Sequence, residues 1–93
     1  MSNFIQEQAT IIAEINASLN YLRELSDSDD LSIDGIEYVD GFIDYMLEDL
    51  ENMELNFYNM GIDNDTVRKI FSLGESMKLE ATQDFIEHVA KYI

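Results

Sequence analysis

The sequence predicts an all-α protein, an antiparallel three-helix bundle that becomes four helices if the last helical region breaks at Gly74. Apolar residues recur at three- and four-residue spacing along three segments, and no segment shows the alternating pattern of a β-strand. With 93 residues, of which 46% are apolar, the chain has the size and composition of a folded domain. We therefore expect a single helical domain that covers residues 1–93.

The first helix is predicted at about residues 3–25. Its apolar side chains fall on one face, and Gln8 fills the one gap in their spacing. The residues of this face are Ile5, Ile12, Ile15, Leu19 and Leu22. One apolar face predicts packing against a neighbouring helix.

The second helix, at about residues 34–60, has the most regular pattern, because apolar residues fill eight successive heptad core positions. These residues are Ile36, Val39, Ile43, Met46, Leu50, Met53, Phe57 and Met60. At its start, Asp34 and Glu37 match the acidic variant of a capping box. At its end, Gly61 followed by Ile62 is typical of a helix terminus.

A third helical region is predicted at about residues 64–92. Its apolar positions are Val67, Ile70, Met77, Ala81, Phe85, Val89 and Tyr92. Gly74 lies within it and either kinks the helix or divides it in two, and the pattern leaves both open. The turn from Gly61 to Asp63 is short, which predicts that the second and third helices are antiparallel neighbours.

The charge balance is strongly acidic. Twenty Asp and Glu residues oppose five Lys and Arg residues, which gives a net charge of −15. Between Arg23 and Arg68 there are fourteen acidic residues and no basic one. Such a surface repels nucleic acid and anionic membranes and attracts basic proteins. We expect a basic protein partner, no direct contact with nucleic acid and no membrane association.

The composition also bears on location and chemistry. There is no Cys, so the sequence contains no disulfide framework and no thiolate nucleophile. No signal-peptide pattern and no apolar run of about 20 residues is present. We therefore expect a cytoplasmic protein.

Five carboxylates of the second helix follow one another at offsets of three or four residues, which places them on one face. They are Glu37, Asp40, Asp44, Glu48 and Glu51, and we call them the acidic stripe. A face that only solubilises a protein usually mixes both signs of charge, and this remains the alternative interpretation. A row of negative charge on a rigid rod, at a spacing close to that of DNA phosphates, is what a phosphate mimic requires.

The predicted partner-binding surface extends beyond the stripe to the preceding loop and one aromatic residue. It consists of Asp27, Asp29, Asp30, Asp34, Glu37, Asp40, Asp44, Tyr45, Glu48 and Glu51. Tyr38, Phe42 and Tyr45 form a second line beside the heptad positions, explained either by core packing or by contact with a partner. Tyrosine beside carboxylates is typical of surfaces that bind arginine-rich proteins, and Tyr45 is our candidate anchor.

No motif predicts catalysis, a metal site or a cofactor, so the sequence is interpreted as that of a non-enzyme. An EF-hand loop that starts at Asp27 would have Leu31 and Ser32 where an oxygen ligand and glycine are needed. The single histidine, His88, lacks the Glu-x-x-His context of a di-iron bundle, because Phe85 occupies the required position.

One enzyme family offers an alternative. Glu48, Glu51 and Glu54 lie at three-residue spacing on a helix, which suits Mg²⁺ binding. This run resembles half of the motif of the all-α nucleoside-triphosphate pyrophosphatases. The resemblance implies a Mg²⁺-dependent nucleotide hydrolase, although the second half of the motif appears here reversed, as Asp84 and Glu87.

In size, composition and acidic stripe, the chain resembles the small acidic helical proteins with which phages inhibit host defence, the DNA-mimicking anti-restriction proteins and some anti-CRISPR proteins. The resemblance covers Asp27 to Glu54 and includes no diagnostic motif. It implies an inhibitor, acting in the host cytoplasm, that binds the basic nucleic-acid groove of a nuclease, defence effector or DNA-binding protein. Bacteriocin immunity proteins, which cap a basic nuclease toxin, share the same electrostatics and are the alternative. A homodimer is compatible with either.

Overall fold

The computed structural model describes residues 2–93, with side chains from Asn3 onward, and contains four helices and no strand within that range. Helix α1 spans Ser2–Ser26, α2 spans Ile33–Asn59, α3 spans Asn64–Ser76 and α4 spans Gln83–Ala90. The predicted all-α class is confirmed, and of its two forms the four-helix one is found. The molecule is elongated, with extents of 45 × 22 × 18 Å.

Helices α1 and α2 form an antiparallel pair, and α3 and α4 follow one another along it as an interrupted third helix. One buried cluster, the α3-end core, joins the first half of α1 to the last part of α2 and to α3; it consists of Ile12, Phe57, Val67 and Ile70. The other, the α4-end core, joins the last part of α1 to the start of α2 and to α4; it consists of Leu22, Val39 and Val89. This pairing of opposite ends makes α1 and α2 antiparallel.

The sequence predicted the C-terminal end of α2 correctly but placed its N-cap at the wrong residue. The N-cap is Ser32, whose hydroxyl accepts a hydrogen bond from the Gly35 N–H at 3.1 Å, so the predicted capping box at Asp34 is wrong by two residues. The C-terminal prediction is confirmed. Gly61 has φ +83°, its N–H donates to Tyr58 O, and the N–H of Ile62 donates to Phe57 O. This is a Schellman motif.

The third helical region, predicted at 64–92, is divided in two, which is one of the two forms that the pattern left open, but the break does not occur at Gly74. Helix α3 continues through Gly74 to Ser76, and Met77 then adopts an extended conformation with ψ 129°. Gly74 is buried against α1, where an added Cβ would lie 2.8 Å from Ile12 Cγ2 and 2.9 Å from Ala9 O. The glycine therefore allows close helix packing and does not end the helix.

Helix α4 is short and is positioned by aromatic contacts. Its N-cap is Thr82, whose hydroxyl accepts a hydrogen bond from the Phe85 N–H at 3.2 Å. The Phe85 ring meets those of Tyr21 on α1 and Phe42 on α2, with centroids 6.2 and 5.5 Å apart. A helix of about two turns is not stable alone, so these contacts, together with burial of Val89 against Leu22 and Val39, hold α4 in place.

Polar and apolar side chains are divided between surface and interior. Among residues 3–93 no polar or charged side chain is buried, and no buried side-chain nitrogen or oxygen lacks a hydrogen-bond partner. Within the described chain, none of the helices combines the length and apolar character needed to cross a lipid bilayer. The Asp and Glu residues are consequently exposed, apart from the partly buried Asp49, and they determine the electrostatic character of the surface.

Candidate functional site

All ten residues of the predicted partner-binding surface are exposed. Asp27, Asp29 and Asp30 lie in the loop between α1 and α2, and the other seven lie on α2. Asp34 is in the first turn of α2, where the helix dipole favours a negative charge. The structure therefore places the predicted residues on one connected surface that starts in the loop and continues along α2.

The acidic stripe is straight and narrow. At about 100° of rotation per residue, its five carboxylates fall within about 80° of the helix circumference. From Glu37 to Glu51 it extends about 21 Å, at 1.5 Å of rise per residue. One member is linked to the neighbouring helix, because the Ser26 hydroxyl donates to Asp40 Oδ1 at 3.1 Å. The stripe is thus carried by one continuous helix that the bundle holds in position.

The stripe is negative, and neither α2 nor the loop before it contains a basic residue. The segment between Arg23 and Arg68 supplies carboxylates only. Neighbouring carboxylates on one helix face lie about 5–6 Å apart and repel one another by a few tenths of a kcal/mol per pair. A surface of this kind concentrates cations and steers basic molecules toward it, more strongly at low ionic strength.

Beside the stripe lies a concave, largely apolar feature that we call the Gly41 notch. It is lined by Glu37, Tyr38, Gly41, Phe42 and Tyr45, is open to solvent, and has a volume of about 390 Å³. Gly41 forms its base, since this residue is exposed and has no side chain. Tyr45, the predicted anchor, is 64% exposed at its edge. The notch therefore joins aromatic surface to the carboxylates of the stripe.

Contacts with one another, with α4 and with Tyr92 beyond its end hold the inner rings of the notch. Phe42 makes edge-to-face contacts with Tyr38 and Tyr45, at centroid separations of 5.8 and 6.4 Å. Tyr92 stacks on Tyr38 at 4.8 Å, and Phe85 meets Phe42 at 5.5 Å. Tyr38 and Phe42 are thus half-buried, as core packing predicts, while Tyr45 projects outward.

The protonation of Tyr38 follows from this packing. Burial, and then the neighbouring Tyr92, raise the pKa of Tyr38 above its ordinary value of 10.0. The Tyr38 hydroxyl is consequently neutral at physiological pH, and the notch presents aromatic rings together with the Glu37 side chain.

The sequence prediction did not include Gly41. The signal that could have indicated it is an isolated glycine within a helical pattern.

The two acidic groups of the alternative enzyme motif lie on different parts of the molecule. Helix α4, which carries Asp84 and Glu87, packs near Phe42, whereas Glu48, Glu51 and Glu54 lie about 9–18 Å further along α2. Among the described residues, no group of three His, Cys, Asp or Glu side chains is placed to hold a metal ion.

No protein-family model, curated protein or solved structure matches this chain. Its class is therefore defined by its own fold and surface, as a small four-helix protein with an acidic face on α2. That face contains carboxylates and an aromatic notch, a combination that suits the binding of cationic groups.

Proposed function

We propose that this protein is a non-catalytic inhibitor that binds the basic nucleic-acid groove of a nuclease, defence effector or DNA-binding protein and displaces nucleic acid by mimicking DNA. The observation that carries the proposal is the exposed acidic stripe on one helix, within a segment that has no basic residue. A basic groove gains by binding such a surface because both sides then lose electrostatic self-repulsion.

The spacing of the stripe is of the same order as that of a phosphate backbone but wider. Successive carboxylates rise about 4.5–6 Å along α2, compared with about 3.4 Å per phosphate along one strand of duplex DNA. The stripe alone is a sparser line of charge than DNA. The loop carboxylates Asp27, Asp29 and Asp30 extend it beyond the start of α2, so that one side of the molecule presents negative charge over a longer distance.

The energetic balance also favours a binding role. Each like-charged pair in the stripe lowers stability by a few tenths of a kcal/mol, and an exposed Lys at a neighbouring position would relieve that repulsion. Functional sites are places where such unfavourable local features are expected. An immunity protein that caps a basic nuclease toxin would use the same surface, and the two roles are distinguished by which basic protein is bound.

The proposal is tested by capture of partners from a host lysate, followed by assay of each captured protein. We expect a nucleic-acid-binding protein to be retained at low salt, released at high salt, and displaced by duplex DNA. The reversal Asp44→Lys, Glu48→Lys and Glu51→Lys should abolish capture. Retention that is indifferent to both salt and DNA would refute the proposal.

The matched control has the same change in net charge on other surfaces of the molecule. Glu7 and Glu14 on α1 and Glu75 on α3 are exposed carboxylates outside the stripe. The variant Glu7→Lys, Glu14→Lys and Glu75→Lys should retain most of the capture, because the stripe is intact. Equal loss in both variants would show that total charge, and not the stripe, determines binding.

A further inference from the structure

Gly41 is the one glycine of the four for which the fold supplies no structural requirement. Gly61 has a positive φ, and Gly74 is pressed against α1. A Cβ on Gly35 would lie 3.3 Å from the Ser32 hydroxyl that caps α2. Gly41 lies inside α2, is exposed, and would have nothing within 4 Å of an added Cβ. A glycine at such a position weakens a helix, so its presence needs another explanation.

The surroundings of Gly41 supply that explanation. The absence of a side chain leaves the notch open between Tyr38 and Tyr45, with the Glu37 side chain at its margin. Because Tyr92 and Phe85 already hold Tyr38 and Phe42, the notch is preformed and loses little conformational entropy on binding. Any side chain at position 41 would project into this space.

We infer that the Gly41 notch receives an arginine side chain of the basic protein partner. The guanidinium stacks on the exposed tyrosine surface and pairs with the Glu37 carboxylate, and the aliphatic stem lies over Gly41. This assignment rests on the proposed function, since it names the group by which the partner engages the acidic face.

Arginine fits this site better than other basic groups. Its planar guanidinium stacks on aromatic faces while it donates hydrogen bonds in its own plane, so one group satisfies both the rings and the carboxylate. Lysine presents a compact, strongly hydrated charge that gains less from the ring surface. The net charge of −15 excludes an acidic occupant and favours a cationic one.

The test uses the full-length, isotope-labelled protein and two capped peptides, Arg-Gly-Arg-Gly-Arg and Lys-Gly-Lys-Gly-Lys, which have equal charge. We expect the arginine peptide to shift the ring signals of Tyr38 and Tyr45 and to bind several-fold more tightly than the lysine peptide. Gly41→Leu, which fills the notch, should lower the affinity for the arginine peptide by about tenfold and remove its advantage over the lysine peptide.

Asn52→Leu is the matched control, because Asn52 is exposed on the same side of α2, about 16 Å further along. It should leave the affinity for the arginine peptide unchanged. Tyr45→Ala serves as a second variant that does not fill the notch, since Tyr45 is 64% exposed and lies outside the buried clusters. This variant should bind the arginine peptide more weakly and bind the lysine peptide with nearly unchanged affinity.

Equal binding of the two peptides, or no effect of Gly41→Leu and Tyr45→Ala, would overturn the arginine assignment. In that case salt-sensitive capture by the stripe would still support the proposed function. Conversely, if the arginine peptide binds at the notch while reversal of the stripe leaves partner capture intact, the arginine site stands and DNA mimicry fails. The two conclusions are therefore separable.

Discussion

The two ends of the molecule are built on the same helix pair but differ in the side chains that close them. At the α3 end, Ile12, Val67 and Ile70 are buried and Gly74 brings α3 close to α1. At the α4 end, Leu22, Val39 and Val89 are equally buried, half-buried aromatic rings surround them, and the Gly41 notch and the acidic loop lie beside this core. Both ends thus have a buried core, but Gly74 allows close helix packing at one end, whereas Gly41 leaves an open notch at the other.

The largest expected effect concerns the close packing at the α3 end. Gly74→Ala would place a Cβ 2.9 Å from the backbone oxygen of Ala9, so α1 and α3 must move apart. Such overpacking costs about 1–3 kcal/mol, which exceeds the gain of up to about 1 kcal/mol in helix propensity from replacing glycine with alanine. We expect a lower urea midpoint with an unchanged m-value. A variant as stable as the wild type would show that the α3 end is not tightly packed.

The same substitution should have the opposite sign at the α4 end. Gly41→Ala adds a Cβ that meets nothing within 4 Å, so only the helix-propensity term remains. We expect a gain of about 0.5–1 kcal/mol in the free energy of unfolding, measured in the same urea titration. The paired glycine variants test the comparison directly, and a loss of stability in Gly41→Ala would contradict it.

A smaller effect is expected from the charges of the stripe. The neutral variant Asp44→Asn and Glu48→Gln removes like-charge repulsion along α2, which should raise the melting temperature at low salt. The gain should correspond to a few tenths of a kcal/mol per pair and should shrink as salt screens the charges. Asp40 is left unchanged because it accepts the Ser26 hydrogen bond. Earlier melting at low salt would mean that these carboxylates stabilise the fold.

The smallest expected effect is a pH dependence of stability that arises from the N-cap of α3 and is absent from the N-cap of α4. Hydrogen bonds from the Thr66 hydroxyl, and then from its N–H, hold the pKa of Asp63 below its ordinary value of 3.8. A lowered native pKa adds stability above the unfolded pKa, and this is lost as pH falls through the native value. The wild type should therefore have a higher melting temperature than Asp63→Asn at about pH 7, and this difference should vanish at about pH 2. The Thr82 cap of α4 does not titrate, so a Thr82→Ser variant should show no such trend.

Much of α2 could be predicted because two independent signals agree, its heptad pattern and the Gly61–Ile62 terminus. The break after α3 could not be located, because Gly74 favours a helix end when considered alone but is used in a contact with α1 that the local sequence does not reveal. Local propensity is overridden in this way wherever tertiary packing supplies more energy.

One part of the candidate site could likewise be predicted from the sequence, and another part could not. The exposure of the carboxylates could be predicted, because their spacing on the helix opposes the apolar face. The Gly41 notch could not, since its shape depends on Phe85 and Tyr92, which are more than forty residues away in the sequence from Tyr38 and Phe42. Helical periodicity alone did not indicate which rings are covered by α4 and which remain exposed.

The most direct test of the central claim is whether the protein displaces nucleic acid from its captured partner through the stripe. Fluorescence anisotropy of labelled duplex DNA bound to that partner would be followed as the protein is added. The account predicts displacement by the wild type and by the Glu7, Glu14 and Glu75 control, and none by the Asp44, Glu48 and Glu51 reversal. Equal displacement by the stripe-reversed variant, or binding to the partner with the DNA still in place, would contradict the account.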